Sequence, residues 1–489
     1  MKVLFVSSEV FPLIKTGGLA DVSGSLPSAL QHLGVDIRIL MPGYPSVLNQ
    51  LQNLRSICTL NDIPVIANTE ILMGTIAETQ IEVMVIKSST LYEREGGPYA
   101  DINGEEWPDN ALRFGVLSRV AAVLAGEQSP LADWQPDIVH CNDWQTGLTP
   151  AYMKLLEDTK AKSIISLHNM AFQGCFPAEW VSILGLPASS FTVEGFEYYG
   201  QLSYLKAGIY YADAISTVSP SYAKEIQTSE FGFGLEGLLT TRGNEIKGIL
   251  NGIETEEWNP DTDLHLIKTY SAAKMAGKKQ VKKALQKKLE LHLDANAPLL
   301  GVVSRLTHQK GLDMLLPNMQ HLLDAGCQLA LLGNGDTALE SAFEAIAINN
   351  PGRVSVTIGY NEPLSHQVMA GCDLFLMPSR FEPCGLNQLY GLAYGTPPIV
   401  NATGGLADSV VDSNEINIKN NTANGFVMSE TSAEALLACL VRALALFNND
   451  AKTWRKIQKN GMSQNLSWDK SALEYLEMYT TLVETEYAI

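Results

Sequence analysis

What the 489-residue sequence lacks narrows its reading first. No uninterrupted apolar run reaches the roughly 18 residues of a membrane-spanning helix, so no membrane role is expected. Cationic side chains are scarce, 34 Lys and Arg against 53 Asp and Glu, for a formal charge of −19. That balance excludes a general binder of nucleic acid or anionic lipid. Any anionic ligand must then be met by locally placed cations and backbone N–H groups. The cysteines, Cys58, Cys141, Cys175, Cys327, Cys372, Cys384 and Cys439, are odd in number and form no Cys-x-x-Cys pair. A disulfide framework and a zinc knuckle are both excluded, and a reduced compartment is expected. No Gly-x-x-x-x-Gly-Lys-[Ser/Thr] occurs, and "GNGD" at Gly333–Asp336 is no dinucleotide fingerprint. The chain runs from Met1-Lys2 straight into "VLFVSSEV", which reads as a first strand and not as a targeting segment. A cytoplasmic location is the expectation.

What is present is an alternation of short apolar runs and longer helical patterns. Strands are expected at 3–7, 36–41, 81–86, 137–141, 163–167 and 214–218, then at 299–304, 329–332, 354–358, 374–377 and 398–401. Several are apolar on both faces, as strands of a covered parallel sheet must be. The pattern predicts an α/β chain with two doubly wound, Rossmann-like domains. The expected boundaries are 1–248 and 249–467, with the join near "IKGILNGIE". Residues 468–489 are expected to add a helix that packs back on the N-terminal domain. The lysine-rich stretch Lys274–Leu291 reads as a solvated helix face, with contact to an acidic partner as the alternative.

Doubly wound sheets bind ligands at the carboxyl ends of their strands. The residues expected there are Lys15-Thr16-Gly17-Gly18, His140 to Trp144, His168-Asn169, "RLTHQK" at Arg305–Lys310, "GNGD", Gly359-Tyr360, "SRFEPCG" at Ser379–Gly385, and "TGGL" at Thr403–Leu406. Arg305 and Lys310 could be an ordinary surface pair. Two cations at one strand end also suit a diphosphate, Arg bidentately and Lys as a point charge. Glu382 could cap the helix that begins near Cys384-Gly385, or accept hydrogen bonds from sugar hydroxyls beside a phosphate at that helix N-terminus. His168 could be a structural histidine, but its strand-end position and its neighbour Asn169 favour a role at the site. Asp261-Thr262-Asp263 lies in a turn away from any strand end, so no metal site is assigned.

The letters TGGLAD occur twice, at Thr16–Asp21 and Thr403–Asp408, each after an apolar run. The glycines of the first copy let backbone approach a ligand closely, and Lys15 adds charge. The second copy has Ala402 in place of that lysine and can offer only backbone N–H groups. The two copies are expected to hold one ligand from opposite sides, unless the second is merely a tight strand-to-helix turn.

"KTGGLADV", "HCNDWQTGL", "SLHNMAFQG", "STVSPSYAKEI", "NGIETEEWNP", "SRLTHQKGLD" and "PSRFEPCGLNQLYG" closely resemble, in order along nearly the whole chain, the ADP-glucose-dependent glycogen synthases of bacteria and starch synthases of plants. The resemblance implies a GT-B architecture, two facing Rossmann-like domains with a deep cleft. It implies a retaining hexosyltransferase that moves glucose from ADP-glucose to the non-reducing end of an α-1,4-glucan. It further implies that Arg305 and Lys310 bind the pyrophosphate, that Lys15 and Gly18 approach the phosphates and glucose, and that His168 and Asn169 lie beneath the transferred sugar. Asp143 corresponds to a sugar-contacting carboxylate, Glu382 to the acidic residue of the C-domain loop, Cys384 to a neighbour of the glucose, and Tyr360 to the adenine stack. Gly17, Asp21, Asn251, Gly385, Leu386, Thr403 and Gly404 complete the expected substrate-binding set. Related transferases often carry a second Glu eight residues after the first. Here Tyr390 stands eight residues past Glu382, which rules out a two-carboxylate loop. No cofactor and no metal are expected, ADP-glucose being the donor substrate. A transferase with another donor or acceptor, of the sucrose or trehalose synthase kind, and a noncatalytic glucan-binding scaffold are the alternatives. With cations and helix N-termini to meet the diphosphate, EDTA is expected to leave activity largely intact. An absolute requirement for added Mg²⁺ or Mn²⁺ after chelation would contradict this.

Overall fold

The structure is a computed structural model describing residues 1–61, 63, 68–131 and 133–484. It divides into two units, one of Met1–Asn251 with the segment from Trp468 onward, the other of Gly252–Ser467. The final residues of the expected C-terminal helix, 485–489, lie outside the described residues.

The first unit carries β1 (Lys2–Val6), β2 (Asp36–Pro42), β3 (Gln52–Leu60), β4 (Thr69–Thr75), β5 (Glu82–Lys87), β6 (Ile138–Asn142), β7 (Lys162–Leu167), β8 (Cys175–Pro177), β9 (Glu197–Tyr198), β10 (Gln201–Ser203), β11 (Ala214–Thr217) and β12 (Ile246–Gly248). Nine of them form one sheet in the order β12-β11-β7-β6-β1-β2-β5-β4-β3, and β8-β10-β9 form a small antiparallel sheet. From β12 to β5 every pairing is parallel. Only β4 is reversed, pairing antiparallel with β5 on one side and with the edge strand β3 on the other. Val3, Leu4, Phe5 and Val6 of β1 are all fully buried, because helices cover both faces. The chain goes from β1 to β2, crosses to the edge at β3, comes back through β4 and β5, then returns to β6 on the other side of β1. The carboxyl ends of β1 and β6 therefore flank the point where strand order reverses.

The second unit carries β13 (Leu299–Val303), β14 (Gln328–Gly333), β15 (Val354–Ile358), β16 (Leu374–Met377), β17 (Pro398–Val400) and β18 (Phe426–Val427). Their order is β15-β14-β13-β16-β17-β18, all parallel, with the reversal between β13 and β16. Leu329 and Leu331 of β14 join one apolar cluster, while Ala330 and Leu332 join another on the opposite face. Continuous apolar runs in the sequence follow from this two-sided burial.

Each strand expected from the sequence forms, with ends within one residue. Of the seven missed, all but β4 have a physical reason. β3 is an edge strand exposed along most of its length and offers no apolar run. β8, β9, β10, β12 and β18 are only two or three residues long. The lysine-rich helix, Ala276–Lys288, corrects the expectation of a solvated face. Lys278 and Lys282 are buried. The Lys278 ammonium donates to Ala370 O at 2.9 Å and Thr396 Oγ1 at 2.6 Å, and burial pulls its pKa down to about 8. Lys282 pairs with Asp373 at 2.7 Å. Both stems cross apolar surface to reach polar partners.

Among the described residues no helix is long and apolar enough to cross a membrane. The helix Trp468–Glu484 belongs to the first unit and packs on the helix Gly18–His32. Its Ser471 donates to Leu250 O at 2.5 Å, and Tyr479 Oη lies 2.7 Å from His140 Nδ1. His140 is fully buried, with Ser166 Oγ at 2.6 Å from its other nitrogen. Tyr479→Phe would leave one imidazole nitrogen buried without a partner, a loss of about 1–3 kcal/mol. Calorimetry should show a lowered melting temperature for this variant, and an unchanged one would contradict the anchor.

Candidate active site

In the second unit the candidate residues gather at the carboxyl ends of adjacent strands. Arg305 and Lys310 follow β13, Glu382 to Leu386 follow β16, and Thr403-Gly404 follow β17. The Lys310 ammonium lies 2.6 Å from Glu382 Oε2, with side-chain exposures of 15% and 8%. Ser379 Oγ donates to the same oxygen at 2.9 Å. The two loops are sewn together around this pair. Arg380 forks onto Asp313 with two contacts of 2.7 Å and donates to His308 O at 2.7 Å. The Arg380 N–H donates to Gln309 O at 2.8 Å. Gly311 takes φ +69°, and a Cβ there would sit 2.2 Å from Pro378 O, so only glycine lets the loops meet. Arg305 is exposed, and its guanidinium makes no hydrogen bond or ion pair among the described residues.

"GNGD" supports this loop from behind. Leu306 N–H donates to Asn334 O at 2.8 Å, and Asp336 N–H donates to Leu306 O at 2.7 Å. Cys384 is buried, and Gln388 Nε2 donates to Cys384 O and Gly385 O at 3.0 Å each. Leu386 is the residue before the helix Asn387–Ala393. Tyr360 follows β15, two strands from β13, and is 76% exposed. Tyr390, which stands where relatives carry a second Glu, stacks on Trp258 at 3.7 Å and is an apolar packing residue.

The two TGGLAD copies fold into different surroundings. A Cβ at Gly17 or Gly18 would meet nothing within 4 Å. At Gly404 it would sit 2.1 Å from Glu382 O, and at Gly405 2.2 Å from Cys384 O. The Gly405 N–H already donates to Glu382 O at 3.2 Å and Pro383 O at 3.1 Å. The Gly404-Gly405 backbone of the second copy therefore braces the 382–385 loop. The first leaves its glycines facing space that this chain does not fill.

In the first unit Lys15 to Asp21 follow β1, Asp143 follows β6, and His168-Asn169 follow β7, again three adjacent strands. His140, Cys141 and Asn142 lie within β6 and not beyond it. Lys15 pairs with Asp21, in the first turn of the helix Gly18–His32, at 2.7 Å. The sequence reasoning missed Glu9, which is buried. Its Oε2 accepts the Thr16 N–H at 2.5 Å and the Gly17 N–H at 3.3 Å, and its Oε1 accepts the Tyr99 hydroxyl. Burial raises its pKa, against those hydrogen bonds, which lower it. The signal that could have found it is a lone carboxylate at a strand end, inside "SSEV".

Asp143 is buried, with a positive φ of 56°, rare for a residue with a side chain. Its Oδ1 accepts the His168 N–H at 2.8 Å and the Asn169 N–H at 3.4 Å. Burial pushes its carboxyl up to about 7, against the two N–H groups that pull it down. His168 Nε2 lies 3.0 Å from Asn142 Oδ1. The Asn142 amide N–H₂ donates to Val6 O at 3.0 Å, which leaves its oxygen to accept from His168 Nε2–H. Nδ1 is then the acceptor nitrogen, and burial pulls the imidazole down to about 4, so it is neutral at pH 7. Asn251 closes this unit after the edge strand β12, two strands from β7, and is buried.

Two doubly wound units with cations and carboxylates at both strand-order reversals define a two-domain glycosyltransferase of GT-B type. Residues 2–241 match the starch synthase catalytic domain family, and residues 283–464 match the glycosyl transferases group 1 family. A glycogen synthase of Nitrosospira multiformis is 50% identical over 486 residues, covering 99% of this chain and 97% of that protein. The catalytic domain of starch synthase IV from Arabidopsis thaliana, solved bound to ADP and acarbose, is similar with a TM-score of 0.88 and 31% identity, over 99% of each chain. A sucrose-phosphate synthase of Thermosynechococcus elongatus, at 17% identity and a TM-score of 0.59, shares the fold. The chain belongs to the glycogen and starch synthase family of glucosyltransferases.

Gly405→Ala is expected to displace the 382–385 loop, lowering both melting temperature and turnover. Gly17→Ala is expected to leave the melting temperature unchanged. Equal melting temperatures for both variants would contradict the bracing role. Because the folded pKa of Asp143 is raised, its contribution to stability is full below about pH 4 and is lost as pH rises through about 7. Asp143→Asn keeps an acceptor for the two N–H groups and should flatten that part of the unfolding profile. A profile with the wild-type slope would exclude Asp143 as the titrating group.

Proposed function

We propose that this protein transfers glucose from ADP-glucose to the non-reducing end of an α-1,4-glucan with retention of configuration, and that it works in the cytoplasm. The observation that carries the donor assignment is the strand-end cation pair. Arg305 is exposed and unpartnered among the described residues, and Lys310 is fixed by Glu382 at the strand-order reversal of its sheet. The ADP bound to the Arabidopsis relative supports an adenine nucleotide there. Tyr360, exposed beside that sheet edge, is assigned to the adenine face. Glu382 Oε2 is engaged by Lys310 and Ser379, so Oε1 is assigned to a sugar hydroxyl. Thr403 and Gly404 support the 382–385 loop from β17.

The first unit offers Lys15 for the diphosphate and open space around Gly17 and Gly18 for close approach. His168, neutral and with Nδ1 as acceptor, is assigned to a hydroxyl of the transferred sugar, and Asn169 accompanies it. Asp143 then acts as a positioning residue, through the backbone N–H groups of that pair. No side chain is assigned as a covalent nucleophile. The acceptor hydroxyl attacks the anomeric carbon from the face the leaving group departs, through an oxocarbenium-like state. Its proton passes to the departing β-phosphate. Arg305 and Lys310 stabilise the negative charge that grows on ADP as the bond breaks.

The test is incorporation of labelled glucose into glycogen from ADP-glucose, with UDP-glucose alongside. ADP-glucose is expected to be the working donor. Loss of one charge-stabilising group costs about a hundredfold to a thousandfold in turnover. Arg305→Ala should show that loss with an unchanged melting temperature, since its side chain supports nothing else. No incorporation by the wild type would leave a noncatalytic scaffold, and near-normal turnover by Arg305→Ala would remove that residue from the site.

A further inference from the structure

The turn at Asp261-Thr262-Asp263, set aside in the sequence, leads to a second cluster. Asp263 is buried, and its Oδ2 accepts His366 Nδ1–H at 2.8 Å and the Tyr394 hydroxyl at 2.5 Å. Its Oδ1 accepts the His265 N–H at 2.8 Å. The Oδ2 contact fixes the His366 tautomer, with the proton on Nδ1 and a lone pair on Nε2. Trp258 stacks on the imidazole at 3.8 Å and 12°, which fixes its plane.

His366 is 1% exposed, and its Nε2 has no hydrogen-bond partner among the described residues. A buried lone pair without a donor is costly. The nearest carboxylate oxygen, Glu362 Oε1, is 4.0 Å away, too far for a hydrogen bond. Glu362 and His366 are four residues apart on the helix Glu362–Gly371 and share one face. Glu257, from the preceding loop, supplies a third group, and ligand atoms of all three lie within 4.8 Å of one another.

We propose that Glu257, Glu362 and His366 bind one divalent transition-metal ion of the zinc class, with Asp263 orienting the histidine. This departs from the sequence expectation of no metal site. A carboxylate on the far nitrogen of a metal-binding histidine is the usual supporting arrangement. The imidazole favours zinc, cobalt or nickel over calcium or magnesium. Small rotations of the two glutamates, one exposed and one half-buried, bring their oxygens to the ~2.0–2.2 Å of a zinc–carboxylate bond. Three protein ligands leave a position for water. The ion would tie the segment that opens this unit to the helix Glu362–Gly371, a stabilising role outside glucosyl transfer.

The test uses the full-length protein after chelation and dialysis. Co²⁺ is expected to bind one per chain with a visible ligand-field spectrum, Zn²⁺ to displace it, and either ion to raise the melting temperature. His366 is deep in its packing, so the two glutamates are altered instead. Glu257→Gln with Glu362→Gln should keep the metal-free melting temperature and bind Co²⁺ at least about tenfold more weakly. Three results would overturn the site. These are no stoichiometric Co²⁺ binding by the wild type, wild-type affinity in the double variant, or ¹⁵N shifts showing both His366 nitrogens protonated near pH 7.5.

Discussion

The contact on which the second unit's site depends is the ion pair between Lys310 and Glu382. Two opposite charges lie 2.6 Å apart and mostly out of water. Taking them there costs desolvation, which close geometry and the added hydrogen bond from Ser379 offset. Removing either partner would strand the other charge. The pair fixes the loop after β13 against the loop after β16, and the Arg380–Asp313 fork, Gly311 and the 404–405 backbone all serve the same junction. A cationic strand end is thereby held in place before any ligand arrives, which is what electrostatic stabilisation of a leaving group needs.

The first unit reaches the same end by a different device. Glu9 and Asp143, buried at the ends of neighbouring strands, each accept two backbone N–H groups from a loop. Glu9 sets the 16–17 turn, and Asp143 sets 168–169. Burial raises the pKa of both, so the positions of these loops are tied to the protonation of the two carboxyls. Asp143, which reads as a substrate contact in the sequence, also braces the backbone of its neighbours.

The fold was legible because parallel strands covered on both sides must be apolar throughout, and those runs stand out. Strand-end positions followed directly, which is why Arg305, Lys310, Glu382 and His168 could be named without coordinates. What stayed hidden depends on tertiary neighbours. The letters TGGLAD are the same at both places, but the carbonyls of Glu382 and Cys384 crowd only the second. Lys278 and Lys282 look like their exposed neighbours until the helix docks. Glu9 is embedded in an apolar stretch, and nothing local announces that Tyr99, 90 residues on, will close over it. Asp263 and His366 are 103 residues apart, and no spacing rule joins them.

The central claim is that the diphosphate of an adenine nucleotide sugar is received by the strand-end cations of the second unit. A crystal structure of the protein with ADP tests it most directly. The account predicts phosphate oxygens within hydrogen-bond reach of the Arg305 guanidinium and Lys310 Nζ, with the adenine ring on Tyr360. ADP bound with its diphosphate away from both cations would contradict it.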